Sequence, residues 1–167
     1  NYSFGARGAG TPAMLEAAGR EYGFGVLVED AVTVDGDIVS STAIRQSVAA
    51  GDVGRASRLL GRTFSLAGSV VRGDGRGRLL GFPTANLSVG SDLVIPADGV
   101  YAVTAQGSMG ALPAVANIGT NPTFQKTDRR IEVHLPDFSG DLYGQDLRLQ
   151  FHGRIRGEMT FPSAGEL

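Results

Sequence analysis

Hydrophobic residues in the first part of the chain follow first a helical and then an extended spacing. Apolar positions three and four residues apart predict a helix that follows the N-cap Thr11 and ends at Gly23. The unbroken apolar run at 26–28 predicts a buried strand, and Asp35-Gly36 is a pair typical of a tight turn. A helix followed by a strand favours an α/β arrangement for this part of the chain.

Two further helices are predicted before residue 62. Ser41 is predicted to cap the first of them, which we expect to end before Gly51. Asp52 is predicted to begin the next helix, and Gly61 to end it. We therefore interpret residues 1–62 as the closing part of an α/β domain.

At about residue 63 the helical spacing gives way to short apolar stretches separated by glycine-bearing turns. This pattern is typical of an antiparallel barrel or sandwich, and we expect a small closed barrel over residues 63–167. The strands predicted for it are 64–72, 91–95, 100–106, 112–117, 130–135 and 146–154. Near the end of the chain Ser163 and Glu166 form a capping box, which predicts the start of a helix.

The composition is that of a folded protein, and it excludes several kinds of site. Of the 167 residues, 42% are hydrophobic, 19% are charged and 25 are glycine. The absence of cysteine excludes disulfides, thiolate zinc sites and cysteine nucleophiles, and it permits a cytoplasmic location. With only His134 and His152, a two-histidine metal site is not expected. The net charge of −2 disfavours nucleic-acid binding, and no apolar run is long enough for a membrane span.

A glycine- and arginine-rich segment, 72–86, is the first candidate for chemistry. Its closely spaced glycines would let backbone N–H groups approach a phosphate, although a flexible hairpin tip with solvated arginines fits the same residues. The chain has no Walker A motif, because its single lysine is Lys126. Thr84 and Asn86 would point to one side of an extended chain, where their oxygens suit Mg²⁺; the alternative is an ordinary turn after a proline.

The second candidate is Glu132, which lies in a segment of strictly alternating residues at 130–135. Glu132 and His134 share one face of the predicted strand, and Glu132 could be a general base. The alternative is a solvated carboxylate paired with Arg129 or Arg130. His134 and His152 equally fit strand-surface histidines, and the turn at 119–124 could be a plain loop or could present an aromatic ring to a planar ligand.

Taken together, these motifs resemble riboflavin kinase. They occur in the order of that family, cover residues 63–167, and include the highly specific pair Pro83-Thr84-Ala85-Asn86 and Glu132-Val133-His134-Leu135. The resemblance implies a six-stranded antiparallel Greek-key barrel that transfers the γ-phosphoryl group of ATP to the 5′-hydroxyl of riboflavin, giving FMN and ADP.

The family's functional residues can be carried over position by position. The resemblance implies that Thr84 and Asn86 hold Mg²⁺ and phosphate oxygens, and that Glu132 accepts the hydroxyl proton. It also implies a flavin or nucleotide loop that includes Asn121 and Phe124. The residues implied to bind ATP are Gly73, Gly75, Arg76, Gly77, Gly81, Pro83 and Thr84.

Upstream, residues 2–5 and 39–45 resemble the closing part of the FMN adenylyltransferase module of bifunctional bacterial FAD synthetases. The resemblance implies that Ser41, Thr42 and Arg45 are the remnant of that module's phosphate site. The module's histidine-containing nucleotide motif does not occur here, so we expect no FMN adenylylation by this chain alone. The barrel is likewise expected to lack most of its C-terminal helix.

Two alternatives remain open at this stage. One is a non-catalytic barrel that binds a flavin or a nucleotide without turnover. The other is an assembly module, in which the incomplete N-terminal part allows self-association. Together with the composition, the resemblance leads us to expect a cytoplasmic enzyme with no nucleic-acid or membrane partner.

Overall fold

A computed structural model describes residues 3–73, 84–120, 129–136 and 138–159. Its contacts divide the chain into two compact units, 1–32 and 33–167. The domain boundary between residues 62 and 63 stays a prediction. No helix in the described ranges is long and apolar enough to cross a lipid bilayer.

In the described residues of the first unit, the α-helix is α1 (Pro12–Tyr22). Its predicted ends are confirmed, because the Thr11 hydroxyl accepts the N–H of Met14 at 3.4 Å and Gly23 ends the helix in the left-handed conformation. The strand predicted at 26–28 is wrong, because these residues belong to no strand, and Leu27 is 83% exposed. An apolar run is buried as a strand only where neighbouring strands cover it.

The second unit begins with a short hairpin and two helices. Strands β1 (Thr33–Val34) and β2 (Asp37–Ile38) are joined by the predicted turn, in which Asp35 and Gly36 both have positive φ. Helices α2 (Ser41–Ala49) and α3 (Val53–Leu60) follow.

Each of these two helices begins after an N-cap residue whose side chain accepts a backbone N–H, and one of the two predicted caps is correct. Asp52 caps α3 as predicted, accepting the N–H of Arg55 at 2.8 Å. Ser41 was expected to cap α2, which is wrong: the extended residue Ser40 accepts the N–H of Ala43 at 3.1 Å, whereas Ser41 is already helical. An N-cap must itself have non-helical backbone angles, and Ser40 meets that condition.

The rest of the second unit is a closed antiparallel barrel, and the predicted fold class is confirmed for this part. The strands that the structure describes are β3 (Ser65–Val71), β4 (Thr84–Val89), β5 (Gly99–Gly107), β6 (Gly110–Thr120), β7 (Arg129–His134) and β8 (Asp146–Arg156). The order around the barrel is β3, β4, β7, β6, β5, β8 and back to β3. The consecutive strands β5, β6 and β7 lie side by side, and β8 returns beside β5, which is a Greek-key arrangement.

One predicted barrel strand is wrong and another was missed. Residues 91–95 form a turn and an irregular segment, in which the N–H of Leu93 donates to the carbonyl of Gly90 at 3.2 Å. The strand that completes the barrel is β4, in which Thr84 and Asn86 were interpreted as Mg²⁺ ligands or as part of a turn. The helix predicted from Ser163 lies outside the described residues.

The barrel core is filled by inward-facing residues of every strand, and helix α3 adds Val53 to it. Tyr101 and Phe151 are fully buried at the centre, with their rings edge to face at 5.5 Å between centroids. The turn between α2 and α3 lies against the same tyrosine, because a Cβ built on Gly51 would be 2.7 Å from its hydroxyl oxygen. Helix α3 and the turn before it thus pack against the barrel, and α2 packs against α3.

Candidate functional site on the outer face of the barrel

Three polar residues form a row across three neighbouring strands. Asn86 of β4 is the direct partner of Glu132 in β7, and Glu132 is the direct partner of Asn117 in β6. Directly opposed residues of antiparallel strands have Cβ atoms about 5 Å apart on the same face. The fold therefore brings together two of the predicted site residues, which are 46 positions apart in the sequence (132 minus 86).

All three side chains lie on the outer face of the barrel. Their neighbours along the strands point inward: Ile131 and Val133 are 2% and 0% exposed, and Ala116 and Ile118 are fully buried. Because side chains alternate along a strand, Glu132 and the two asparagines are half-buried on the opposite face. A ligand can reach them without entering the core.

The next pair along the same two strands adds Thr84. Thr84 is the direct partner of His134, two residues from Asn86 and on the same half-buried face. The threonine hydroxyl and the asparagine amide oxygen are hard donors of the kind that Mg²⁺ accepts. Across the described ranges, no three histidine, aspartate or glutamate side chains cluster so that they could hold a metal ion.

Gly73 is positioned directly beside this row. A Cβ built on Gly73 would lie 2.5 Å from Cγ and 2.9 Å from Oδ1 of Asn86, so the backbone at the end of β3 is packed against the Asn86 amide. Only a residue without a side chain allows so close an approach. The predicted glycine-rich loop thus begins in contact with a predicted Mg²⁺ ligand.

The end of β3 is held in place by the segment before β8, which the sequence had not marked as part of the site. The N–H of Gly144 donates to the carbonyl of Val70 at 2.9 Å, and the N–H of Val70 donates to the carbonyl of Gln145 at 2.8 Å. The Arg72 guanidinium lies over the ring of Tyr143, 5.8 Å from its centroid. These contacts fix where the glycine-rich segment leaves the barrel.

The structure also bears on the alternative interpretation of Glu132. Arg129, one of its two suggested ion-pair partners, instead donates from Nε to Asp98 at 2.8 Å and from Nη2 to the carbonyl of Pro96. In the part of the chain that the structure describes, neither the Glu132 carboxylate nor the Asn117 amide makes a hydrogen bond or an ion pair. Glu132 is therefore available to a ligand.

The three residues that were predicted to be a remnant phosphate site lie on α2 rather than on the barrel. Ser41, Thr42 and Arg45 are exposed in the first two turns of that helix, and Arg45 Nη2 donates to Ser41 Oγ at 3.0 Å. Behind them, Arg55 of α3 holds the β1–β2 hairpin through Asp37 at 2.8 Å, and this bond lowers the pKa of the Asp37 carboxyl.

Several predicted site residues cannot be placed. Gly75, Arg76, Gly77, Gly81, Pro83, Asn121 and Phe124 lie outside the described residues. A shallow cleft of about 190 Å³ is present near the start of β7, lined in part by Leu93, Ile95 and Arg129, but it includes no predicted site residue. The polar row on the outer face, and not this cleft, is therefore the candidate site.

Sequence reasoning missed Asn117. It lies between Ala116 and Ile118 in a segment that alternates between inward and outward positions, so its outward orientation could have been predicted. Its place opposite Glu132 depends on the pairing of β6 with β7, which no local pattern specifies.

Comparisons with known proteins identify the family of this chain. The chain is 42% identical, over all of its length, to the bifunctional riboflavin kinase/FMN adenylyltransferase of Escherichia coli strain K12, and covers 53% of that relative. It is also 42% identical to the enzyme of the same name from Pseudomonas fluorescens, over 98% of this chain and 52% of the relative. The chain thus spans about half the length of the curated relatives it matches.

A solved structure and a family model agree with the barrel. A crystal structure of a macrolide-efflux protein from Streptococcus pneumoniae superposes with a TM-score of 0.85 at 36% identity, over 98% of this chain and 52% of that chain. The family model described as flavokinase, riboflavin kinase, matches residues 60–167, which include every strand of the barrel and the whole polar row. The chain belongs to the riboflavin kinase family.

Proposed function

We propose that this chain carries the riboflavin kinase activity of a bifunctional FAD synthetase. The reaction is transfer of the γ-phosphoryl group of ATP to the 5′-hydroxyl of riboflavin, giving FMN and ADP. The observation that carries the proposal is the pairing of Asn86 with Glu132, in a chain whose family model covers both. Glu132, whose carboxylate has no ion-pair partner among the described residues, is thus directly opposite the residue packed against Gly73.

Glu132 is the general base of this proposal. Its carboxylate accepts the proton of the riboflavin 5′-hydroxyl while that oxygen forms a bond to the γ-phosphorus. The bond between the γ-phosphorus and the bridging oxygen breaks, and that oxygen leaves with ADP. Phosphoryl transfer requires mainly alignment and neutralisation of charge, so one positioned carboxylate is sufficient as the base.

Thr84 and Asn86 are the proposed ligands of Mg²⁺. Both expose hard oxygen donors on one face of β4, and the phosphate oxygens of ATP would complete the coordination. When bound, the ion neutralises charge on the β- and γ-phosphates. The backbone at Gly73 packs against the Asn86 amide and limits its movement.

The remaining assignments follow from family membership. The segment from Gly73 to Gly81 is proposed to cover the nucleotide, and the loop with Asn121 and Phe124 to contact the flavin or nucleotide. The parent protein is proposed to be an FMN adenylyltransferase as well, with Ser41, Thr42 and Arg45 in that second site. This chain alone is not expected to produce FAD, and a cytoplasmic location is proposed because ATP is a substrate.

The test is incubation of the chain with riboflavin, ATP and Mg²⁺, followed by chromatographic separation of FMN and FAD. We expect FMN without FAD. Replacement Glu132→Gln keeps the shape of the side chain and should lower kcat by about 10² to 10⁴ while riboflavin and ADP still bind. No FMN from the folded wild-type chain would contradict the proposal, and equal turnover by the two proteins would show that Glu132 is not the base.

The alternatives predict other results. A binding-only barrel would bind riboflavin and ADP without forming FMN. An assembly module would form oligomers through residues 1–62, so light scattering would report a smaller particle after those residues are removed.

A further inference from the structure

Asn117 occupies a distinctive place in the polar row. It is the partner of Glu132 on the side opposite to Asn86, so the carboxylate lies between two asparagine residues on adjacent strands. Asn117 is half-buried, and its neighbours Ala116 and Ile118 face the core. An amide in this position is not required for barrel packing, which the inward residues provide.

The two asparagines differ in their surroundings. The amide of Asn86 packs against the backbone of Gly73, where the glycine-rich segment begins. The amide of Asn117 makes no hydrogen bond within the described ranges, and the carboxylate of Glu158 lies further along β6, against Gly119. Asn86 is thus on the same side of Glu132 as the start of the glycine-rich segment, and Asn117 is on the opposite side of Glu132.

The geometry of phosphoryl transfer suggests a different partner for each of the two asparagines that flank Glu132. The attacking oxygen, the phosphorus and the leaving oxygen lie roughly in line, so the donor and the acceptor approach from opposite sides. The base must contact the acceptor hydroxyl. If ATP lies over β4 and the end of β3, the acceptor must approach Glu132 from β6, where Asn117 is the polar residue directly opposite.

We infer that Asn117 is a positioning residue for the acceptor alcohol, binding a hydroxyl next to the one that is phosphorylated. The inference rests on the proposed kinase function. An asparagine amide both donates and accepts hydrogen bonds, which matches the hydroxyl groups of a polyol chain. Asn117 would hold the chain so that its terminal hydroxyl reaches Glu132.

The test compares Asn117→Ala with Gln106→Ala, which removes an exposed amide from the neighbouring strand β5. We expect Asn117→Ala to raise the KM for riboflavin roughly fivefold to tenfold, the effect of one lost hydrogen bond, with the KM for ATP unchanged. Gln106→Ala should change neither constant. Equal KM values for riboflavin in wild type and Asn117→Ala would overturn the inference.

An acceptor analogue separates positioning from a structural effect. Riboflavin that lacks its 4′-hydroxyl should bind the wild type more weakly, but should lose little further affinity with Asn117→Ala, because the partner of that hydroxyl is already absent. An equal loss in the two proteins would contradict the inference. Flavin fluorescence titration measures the same difference without turnover, so the inference can be decided even if the chain forms no FMN.

Discussion

The side-chain amide of Asn86 is packed against the backbone of Gly73, at the point where the chain leaves β3. The two residues are 13 positions apart (86 minus 73), and the segment between them contains most of the predicted nucleotide loop. A single close contact therefore connects the start of that loop with the residue that faces Glu132.

A methyl group at position 73 should disturb the site without disturbing the fold. In Gly73→Ala the new Cβ would overlap the Asn86 amide, and because Gly73 is exposed, the amide can move aside at little cost to stability. We expect the KM for ATP to rise about tenfold and the melting temperature to change little. Gly153→Ala is the matched control, since a Cβ there meets no atom within 4 Å. Unchanged ATP kinetics in Gly73→Ala would contradict the proposed role of Asn86.

The hydroxyl of Thr84 should control the dependence on Mg²⁺. Removing one of the two proposed protein ligands in Thr84→Ala is expected to raise the Mg²⁺ concentration for half-maximal activity about tenfold, whereas Thr84→Ser keeps the hydroxyl and should retain the wild-type value. Titration of initial rates with MgCl₂ measures the effect. Ser88→Ala removes a hydroxyl from the same face of β4 and should leave the titration unchanged. A similar shift in Ser88→Ala would contradict a direct role of Thr84 in Mg²⁺ binding, because any hydroxyl on this face of β4 would then have the same effect.

The turn between α2 and α3 should be sensitive to a methyl group at Gly51. This residue has φ 80°, and a Cβ would meet the Tyr101 hydroxyl at 2.7 Å and Ala97 at 3.2 Å. Gly51→Ala should lower the free energy of unfolding by about 2–5 kcal/mol, from backbone strain and overpacking together. Gly61 also has a positive φ, 64°, but a Cβ there would meet no atom within 4 Å. Gly61→Ala should therefore lower the free energy of unfolding by only about 1–2 kcal/mol. Equal losses in urea unfolding would show that the turn does not depend on contact with the barrel.

Tyr101 should make stability fall at alkaline pH. It is fully buried, its hydroxyl donates to the Ala97 carbonyl at 2.6 Å, and burial raises the pKa of Tyr101 above its usual value. The unfolded chain releases this proton near pH 10, before the folded chain does, so stability is fully present below about pH 10 and declines above it.

The variant Tyr101→Phe isolates this effect. At pH 7 it should lower the free energy of unfolding by about 1 kcal/mol, for the lost hydrogen bond. Above about pH 10 the gap between the two proteins should narrow, because only the wild type has this proton to lose. Urea unfolding at pH 7, 9, 10 and 11 measures the gap, and a constant difference would refute the expectation.

Local sequence patterns were sufficient for features that depend on neighbouring residues. The Asp52 cap, the Asp35-Gly36 turn and the outward orientation of Glu132 all depend on residues within a few positions of each other. Strand β4 was missed because the proline before it suggested a turn, although Ala85, Leu87 and Val89 do alternate as a strand requires.

Features that depend on distant parts of the chain could not be predicted in the same way. The place of Asn117 beside Glu132 and the contact of Gly73 with Asn86 follow from the barrel's strand order. The exposure of Leu27 could not be predicted either, because burial of an apolar run depends on which strands lie beside it.

The register between β4 and β7 connects correct folding with catalytic competence. A slip of one residue would turn Glu132 toward the interior and expose Ile131 and Val133, because successive side chains of a strand point to opposite faces. Such a misfolded molecule would lose its site and its core in the same event. The fraction of molecules that bind substrate should therefore report the fraction that is natively paired, which would make turnover a direct assay of refolding yield.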